Sequence, residues 1–265
     1  IKLFSKKPVV CVIHGLDINY DSASLGVWYE KFLITLHKNL WVKVFLKKID
    51  RFVAVGNETV RVAKEKDIAP EKVVFIPNGI DINKYKSDGT RKDLEKLLGE
   101  DLTEKFTIMT SGRLAKRKGA AWFVRNVMPR LPENVLYIVA GDGTDRENIA
   151  EAIAEKNLSA RVKTLGYMGN DIRDMLFHTC DLFVQPNIKI PGDMEGFGIS
   201  VIEAAFCSIP VLASDLEGLK DAIKDGEDGF LLESENADAW VKKINELLAD
   251  EKYRKEFGQK ARQFV

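Results

Sequence analysis

The stretch Asp193-Met-Glu-Gly-Phe-Gly-Ile-Ser-Val-Ile-Glu203 combines two glutamates, two glycines and an apolar run. Glycine lets a loop approach a ligand closely, and the apolar run that follows is typical of a helix. The pattern therefore predicts a ligand-binding loop that opens into a helix. Glu203 lies among apolar residues, and a buried carboxylate needs hydrogen-bond partners such as the hydroxyls of a sugar. The alternative is that Glu195 is a solvated charge and Glu203 the polar edge of a packed helix.

Short apolar runs alternate with helical patterns on both sides of this stretch. Six runs in the C-terminal part are predicted to be strands, at residues 106–110, 135–140, 162–165, 182–185, 211–213 and 229–232. Three more predicted strands lie in the N-terminal part, at residues 9–13, 51–55 and 72–76. Such alternation is typical of α/β proteins in which helices join the strands of a parallel sheet.

The chain is long enough for two modest domains, each with its own core. Residues 106–265 are predicted to form a complete, doubly wound Rossmann-like domain. Residues 1–85 are predicted to be the later part of another, which includes a long helix at residues 22–48. The charged residues 86–105, with a short helix at 91–98, are interpreted as the connection.

The composition argues against several classes of function. The chain has 40 basic and 40 acidic residues, so no net charge favours nucleic acid as a partner. Three cysteines without C-x-x-C spacing predict neither a disulfide nor a zinc site, and three histidines without ligand spacing predict no metal. No apolar run approaches the ~20 residues that span a bilayer, so a cytoplasmic protein is expected.

The loop at residues 111–119 carries four cations between a predicted strand and a predicted helix. Backbone amides and the helix dipole favour an anion at such a place. Arg113 follows Gly112 and Lys118 precedes Gly119, so these two cations are predicted to lie closest to a diphosphate. The alternative is a solvated basic patch.

Two further features bear on the chemistry. Gly141-Asp-Gly143 suggests a dinucleotide motif, but Arg146 stands where the third glycine belongs, which argues against an oxidoreductase. His14 ends the first predicted strand, where open α/β sheets meet their ligands. The alternative is a histidine that only completes a turn.

Together these motifs resemble the retaining, nucleotide-sugar-dependent glycosyltransferases of family four. The resemblance implies a GT-B fold, in which two Rossmann-like domains enclose the active site and the second domain holds most of the donor. The residues that carry it are Gly112-Arg113, Lys118-Gly119, Glu195-Gly-Phe-Gly198, Glu203-Ala204, Pro210-Val211, His14-Gly15 and Pro77-Asn-Gly-Ile-Asp81.

The resemblance also implies roles for individual residues. Gly112, Arg113 and Lys118 are expected to bind the donor's diphosphate, and Glu203 its ribose hydroxyls. Tyr167 is expected near the base, and His14 is expected to face the donor sugar. The transferred sugar and the near phosphate are assigned to Glu195 and to the backbone of Gly196, Phe197, Gly198 and Ile199. Catalysis is assigned to Glu195, His14, Arg113 and Lys118, with no cofactor beyond the donor and no metal.

The sequence departs from the family pattern at several places. Ser208 stands where glycine is usual, and Glu217-Gly218 replaces a Gly-Gly pair near the expected sugar. Segments that normally begin and end the family's chains are not in this sequence, so we expect a fragment with weak or no transfer activity. Two other functions stay open: a non-catalytic nucleotide-sugar binding module and, less favoured, a Rossmann oxidoreductase. The donor's base and sugar, the acceptor (glycan, lipid-linked or small molecule) and peripheral association with the inner face of a membrane are also open.

Overall fold

A computed structural model describes residues 7–14 and 46–265. They form two compact units. The first takes the described part of Ile1–Asn78 together with Ile190–Phe197, and the second takes Gly79–Lys189 and Gly198–Val265. The predicted helix at residues 22–48 lies outside the described residues except for its end, where Leu46–Lys48 form a single 3-10 turn.

The first unit contains a three-stranded parallel sheet in the order β1-β2-β3. Its elements are β1 (Val10–Ile13), β2 (Arg51–Ala54), α1 (Asn57–Glu65) and β3 (Val73–Phe75). Phe52 and Ala54 of β2 pack with Val62 of α1 in a small core. Met194 is buried in the same core, so the segment Ile190–Phe197 is part of this unit's packing.

The second unit is a doubly wound α/β domain with six parallel strands in the order β6-β5-β4-β7-β8-β9. Its strands are β4 (Phe106–Ser111), β5 (Val135–Ala140), β6 (Val162–Gly166), β7 (Leu182–Gln185), β8 (Val211–Ser214) and β9 (Phe230–Leu232). The order reverses between β4 and β7, as in Rossmann folds, and ligands bind at such a reversal. All six predicted strands are confirmed within one or two residues.

Helices cover both faces of this sheet. They are α2 (Arg91–Leu98), α3 (Ala120–Asn126), α4 (Arg146–Glu155), α5 (Asn170–Thr179), α6 (Ile199–Phe206), α7 (Leu219–Ala222), α8 (Ala237–Ala249) and α9 (Glu251–Ala261). Trp240 of α8 is fully buried edge-on against Phe123 of α3, which itself contacts Tyr137 of β5. None of the described helices is both long and apolar enough to cross a bilayer.

Ser208 and Glu217, the two positions that depart from the family's glycines, both adopt a left-handed backbone. Their φ angles are 64° and 50°. Residues with a Cβ atom pay a steric penalty in this region, which glycine avoids. The geometry therefore explains why glycine suits these positions, and it places the strained Glu217 two residues before α7.

Gly119 joins the basic loop to α3, and its backbone is left-handed with φ 68°. A methyl group on Gly119 would overlap the carbonyl oxygen of Pro186. Gly99, which ends α2, has nearly the same φ of 65° but open space around its Cα. The two glycines therefore share a left-handed backbone conformation, but only Gly99 has room for a side chain.

We predict that Gly119→Ala destabilises the second unit more than Gly99→Ala does. Gly99→Ala should lower the free energy of unfolding by about 1–2 kcal/mol through left-handed strain alone. Gly119→Ala adds overlap with the main chain and should cost about 3 kcal/mol or more. Urea denaturation followed by circular dichroism measures both values, and equal losses would show that the loop can move away from Pro186.

Candidate functional site

A cleft of about 290 Å³ opens in the second unit where β4, β5 and β6 end. The loop after β4 contributes Ser111, Gly112 and Arg113, and the loop after β5 contributes Ala140, Gly141 and Asp142. The turn after β6 and the start of α5 contribute Tyr167, Met168, Asn170 and Arg173. The cleft therefore lies at the carboxyl edge of the sheet, beside the reversal of strand order.

Main-chain hydrogen bonds hold the first two loops together. The amide of Gly112 donates to the carbonyl of Ala140 at 3.0 Å, and the amide of Leu114 donates to the carbonyl of Asp142 at 2.9 Å. A Cβ atom on Gly141 would overlap the carbonyl of Gly112, so the main chains of these two loops are in direct contact. The glycines of the incomplete dinucleotide motif thus shape the wall of this cleft.

The four cations of the basic loop have different surroundings. The Arg113 side chain is exposed on the cleft wall and forms no hydrogen bond or ion pair with any residue that the structure describes. Arg117 is buried, and its carbonyl accepts a hydrogen bond from the amide of Ile188 at 2.8 Å. Lys118 is half-buried in the 3-10 turn Lys116–Lys118 and does not line the cleft. Of the two cations predicted to bind the diphosphate, only Arg113 therefore lines this cleft.

Tyr167 stands at the rim of the cleft with 82% of its surface exposed. Its ring has no aromatic or cationic neighbour among the described residues. An exposed aromatic ring beside a cleft is suited to stacking on a flat ligand group.

Glu203 lies in the middle of α6 and is half-buried, as the sequence predicted. Its Oε1 atom accepts a hydrogen bond from the hydroxyl of Tyr85. The guanidinium of Arg173 lies 5.6 Å from the centre of the Tyr85 ring. Glu203 does not line the 290 Å³ cleft itself, but Arg173 does, so the three side chains connect α6 to the cleft.

The surroundings of Tyr85 and Arg173 shift the pKa values of both side chains. Burial and the hydrogen bond with Glu203 both raise the pKa of the Tyr85 phenol, so Tyr85 remains a neutral donor. Partial burial by itself lowers the pKa of the Arg173 guanidinium, but the facing carboxylates of Glu203 and Asp174 outweigh burial and raise it. Arg173 therefore stays charged next to Glu203.

Tyr85 and Arg173 were not predicted from the sequence. Tyr85 falls in the first predicted domain but in the second unit of the structure. The only feature of the sequence that could have indicated a role for Tyr85 is that it is an aromatic residue in a polar stretch. Arg173 belongs to a helix whose polar face carries several charges, so no pattern singled it out.

The first unit brings together His14 and the segment that begins at Glu195. A Cβ atom on Gly196 would overlap the carbonyl of His14, so only glycine permits this approach. Glu195 is 7% exposed and Phe197 5% exposed, and the burial of Glu195 speaks against a solvated charge. His14 is exposed, and Gly15 after it lies outside the described residues.

Gly198 and Ile199 belong to the second unit. Gly198 precedes α6 with a left-handed φ of 88°, and Ile199 is the first residue of the helix. Their amides lie in the first turn of α6, where main-chain donors have no partner within the helix. Such a turn can donate to an anion.

Cys11, Cys180 and Cys207 are free thiols, and burial raises the pKa of the last two to about 12. Over residues 7–14 and 46–265, the His, Cys, Asp and Glu side chains form no group of three arranged to hold a metal ion.

Known sequences similar to this chain are glycosyltransferases. Residues 93–264 match the family of glycosyl transferases group 1, and residues 1–84 match glycosyltransferase family 4. The UDP-Gal:alpha-D-GlcNAc-diphosphoundecaprenol alpha-1,3-galactosyltransferase of Escherichia coli is 27% identical over 88% of this chain and 59% of its own length. The N,N'-diacetylbacillosaminyl-diphospho-undecaprenol alpha-1,3-N-acetylgalactosaminyltransferase of Campylobacter jejuni is 29% identical over 95% of this chain and 64% of its own length. The chain thus spans less than two thirds of either relative.

Solved structures agree with the fold. HepE of Anabaena, crystallised with UDP and glucose, superimposes with a TM-score of 0.79 at 21% identity, over 99% of this chain and 68% of HepE. WaaG, a glycosyltransferase involved in lipopolysaccharide biosynthesis, gives a TM-score of 0.74 at 18% identity, over 98% of this chain and 72% of WaaG. The predicted GT-B fold class is confirmed. With its fold and well over half of its sequence matched, this chain belongs to the group 1 glycosyltransferases.

Proposed function

We propose that this chain contains the donor site of a retaining glycosyltransferase, which moves a sugar from a nucleotide diphosphate to a glycan, lipid-linked or small-molecule acceptor without a metal. The observation that carries the proposal is the cleft of the second unit, where the Arg113 side chain has no ion-pair partner among the described residues and lies at the carboxyl edge of a Rossmann-like sheet. An anionic ligand is the natural complement of such a site.

The proposed donor pose follows the three parts of a nucleotide sugar. Arg113, helped by Lys118 and by the close backbone approach that Gly112 permits, binds the diphosphate. Glu203 accepts hydrogen bonds from the ribose hydroxyls, and Tyr167 stacks against the base. The transferred sugar is assigned to Glu195, to His14 and to the backbone of residues 196–199.

The chemistry of the leaving group supports these roles. Cleavage of the bond between sugar and diphosphate leaves additional negative charge on the diphosphate. Cations and amides that are already in position stabilise this charge more in the transition state than in the ground state. Arginine suits the task because its planar group binds two phosphate oxygens at once. The protein's own cations thus take the place of a metal in this proposal.

The relatives suggest the donor and acceptor classes. HepE was crystallised with UDP and also with UDP-glucose, which favours a uridine donor. The names of the two bacterial relatives describe acceptors linked to undecaprenol diphosphate, which favours a lipid-linked acceptor. Such an acceptor would place the enzyme in the cytoplasm at the inner face of a membrane.

The donor site predicts nucleotide binding that depends on Arg113. UDP should bind, and Arg113→Ala should weaken it by roughly 10- to 100-fold, because charge-assisted hydrogen bonds to phosphate contribute about 1.5–3 kcal/mol. Lys252→Ala removes the same charge from an exposed position on α9 and is the matched control. Isothermal titration calorimetry with UDP, GDP and ADP measures these affinities. Equal losses in both variants would indicate general electrostatic attraction and contradict the site.

Metal independence predicts that chelation leaves binding and transfer unchanged. UDP affinity and the rate of donor turnover should change less than about twofold when EDTA is added, since no step needs a metal. Restoring magnesium or manganese after EDTA should bring no gain. A loss of activity on chelation that added metal reverses would overturn this part of the proposal.

Retention predicts the configuration of the first product. Given UDP-glucose, the full-length protein that contains this chain should slowly transfer glucose to water, and proton NMR should detect the α anomer before mutarotation. Early β-glucose would show inversion. Binding of the nucleotide with no turnover of any nucleotide sugar would favour the non-catalytic binding module.

A further inference from the structure

Tyr85 is held against α6 by contacts on two sides of its ring. The residue is 8% exposed and follows the 3-10 turn Ile82–Lys84. Its ring meets the edge of Phe206 at 6.1 Å between centres, and the guanidinium of Arg173 lies 5.6 Å from the ring centre. Because the ring is packed in this way, the direction of its hydroxyl is set by the fold.

That hydroxyl reaches Glu203 one helical turn before Phe206. Residues three apart share a face of a helix, so the same ring packs on Phe206 and donates to Glu203. A glutamate side chain has three rotatable bonds, and ordering it costs free energy that a ligand would otherwise have to supply. The Tyr85 bond restrains the carboxylate before any ligand arrives.

The hydrogen bond also leaves acceptor capacity on the carboxylate. An ionised carboxylate has two oxygens and about four lone-pair sites. Tyr85 uses one site on Oε1, and the described structure records no hydrogen bond to Oε2. A carboxylate restrained at one oxygen can still accept from neighbouring hydroxyls at the other.

We propose that Tyr85 is a positioning residue, which holds Glu203 in the orientation that accepts hydrogen bonds from the vicinal hydroxyls of a ribose. This inference rests on the proposed function, because it requires the ligand of Glu203 to be a ribonucleotide. In this proposal, the selectivity of the site for ribose over 2′-deoxyribose depends on Tyr85, which lies outside the cleft. Arg173 supports the arrangement by packing over the ring.

The test compares a ribonucleotide with its 2′-deoxy counterpart in wild-type protein and in Tyr85→Phe. The variant removes only the hydroxyl and keeps the ring between Phe206 and Arg173. UDP should bind wild-type protein at least tenfold more tightly than 2′-deoxy-UDP, since a polar site rejects a ligand that lacks its partner hydroxyl. Tyr85→Phe should weaken the binding of UDP roughly five- to tenfold and that of 2′-deoxy-UDP less than twofold. The preference for UDP over 2′-deoxy-UDP should therefore be largely lost. If GDP or ADP binds better than UDP, that nucleotide and its deoxy form are used.

Two further variants separate positioning from structural damage. Tyr253→Phe removes a hydroxyl on α9 and should leave both affinities unchanged. In a Glu203→Ala background, Tyr85→Phe should have no further effect on UDP, because the group it positions is gone. Thermal melting confirms that each variant is folded.

The outcomes distinguish this inference from the proposed function. If none of the three nucleoside diphosphates binds wild-type protein, both fail. If wild-type protein prefers the ribonucleotide and Tyr85→Phe keeps that preference, only the role of Tyr85 is wrong. Equal weakening of both nucleotides would show that Tyr85 supports the fold and does not position Glu203.

Discussion

The pairing of β4 with both β5 and β7 is the constraint on which the second unit depends. The chain leaves β4 toward β5 and β6, and later returns to β4 on its other side as β7. Because all strands are parallel, their carboxyl ends meet at one edge, and the loops after β4 and β7 diverge there. The basic loop, the cleft and the start of α6 all lie at this edge, so the sheet determines which residues can meet a ligand.

Some charged side chains around the cleft have partners within the protein, and Arg113 does not among the described residues. Glu203, Tyr85 and Arg173 form a connected group in which the carboxylate faces both a neutral donor and a cation. Arg113 stands on the cleft wall without such a partner among the described residues. A neutralised group orients polar ligand atoms, whereas an unneutralised cation attracts a charged ligand. A nucleoside diphosphate offers both kinds of group, hydroxyls and phosphates, within one molecule.

The sequence could predict the strands and the main loops, since buried parallel strands appear as continuous apolar runs such as Val135–Ala140. It could also predict that Glu203 is partly buried, from its apolar neighbours alone. It could not predict Tyr85, because the partner of Tyr85 is 118 positions away and only the tertiary fold brings the two together. Nor could the sequence show which of the four loop cations lines the cleft and which is buried, as Arg117 is. Adjacency to glycine does not determine the direction of a side chain.

At the opposite edge of the same sheet, two arginines have surroundings unlike those of Arg113. A larger groove of about 770 Å³ opens there, and Arg91 and Arg254 lie along it. Arg91 pairs with Asp181 at 3.1 Å and donates to the carbonyls of Thr179 and Lys105, while Arg254 donates to the carbonyl of Leu247 at 3.0 Å. These cations already satisfy backbone carbonyls and a carboxylate, so an anion would have to displace existing bonds. The Arg113 side chain has no such bonds to lose among the described residues, which supports the smaller cleft as the place proposed for a diphosphate.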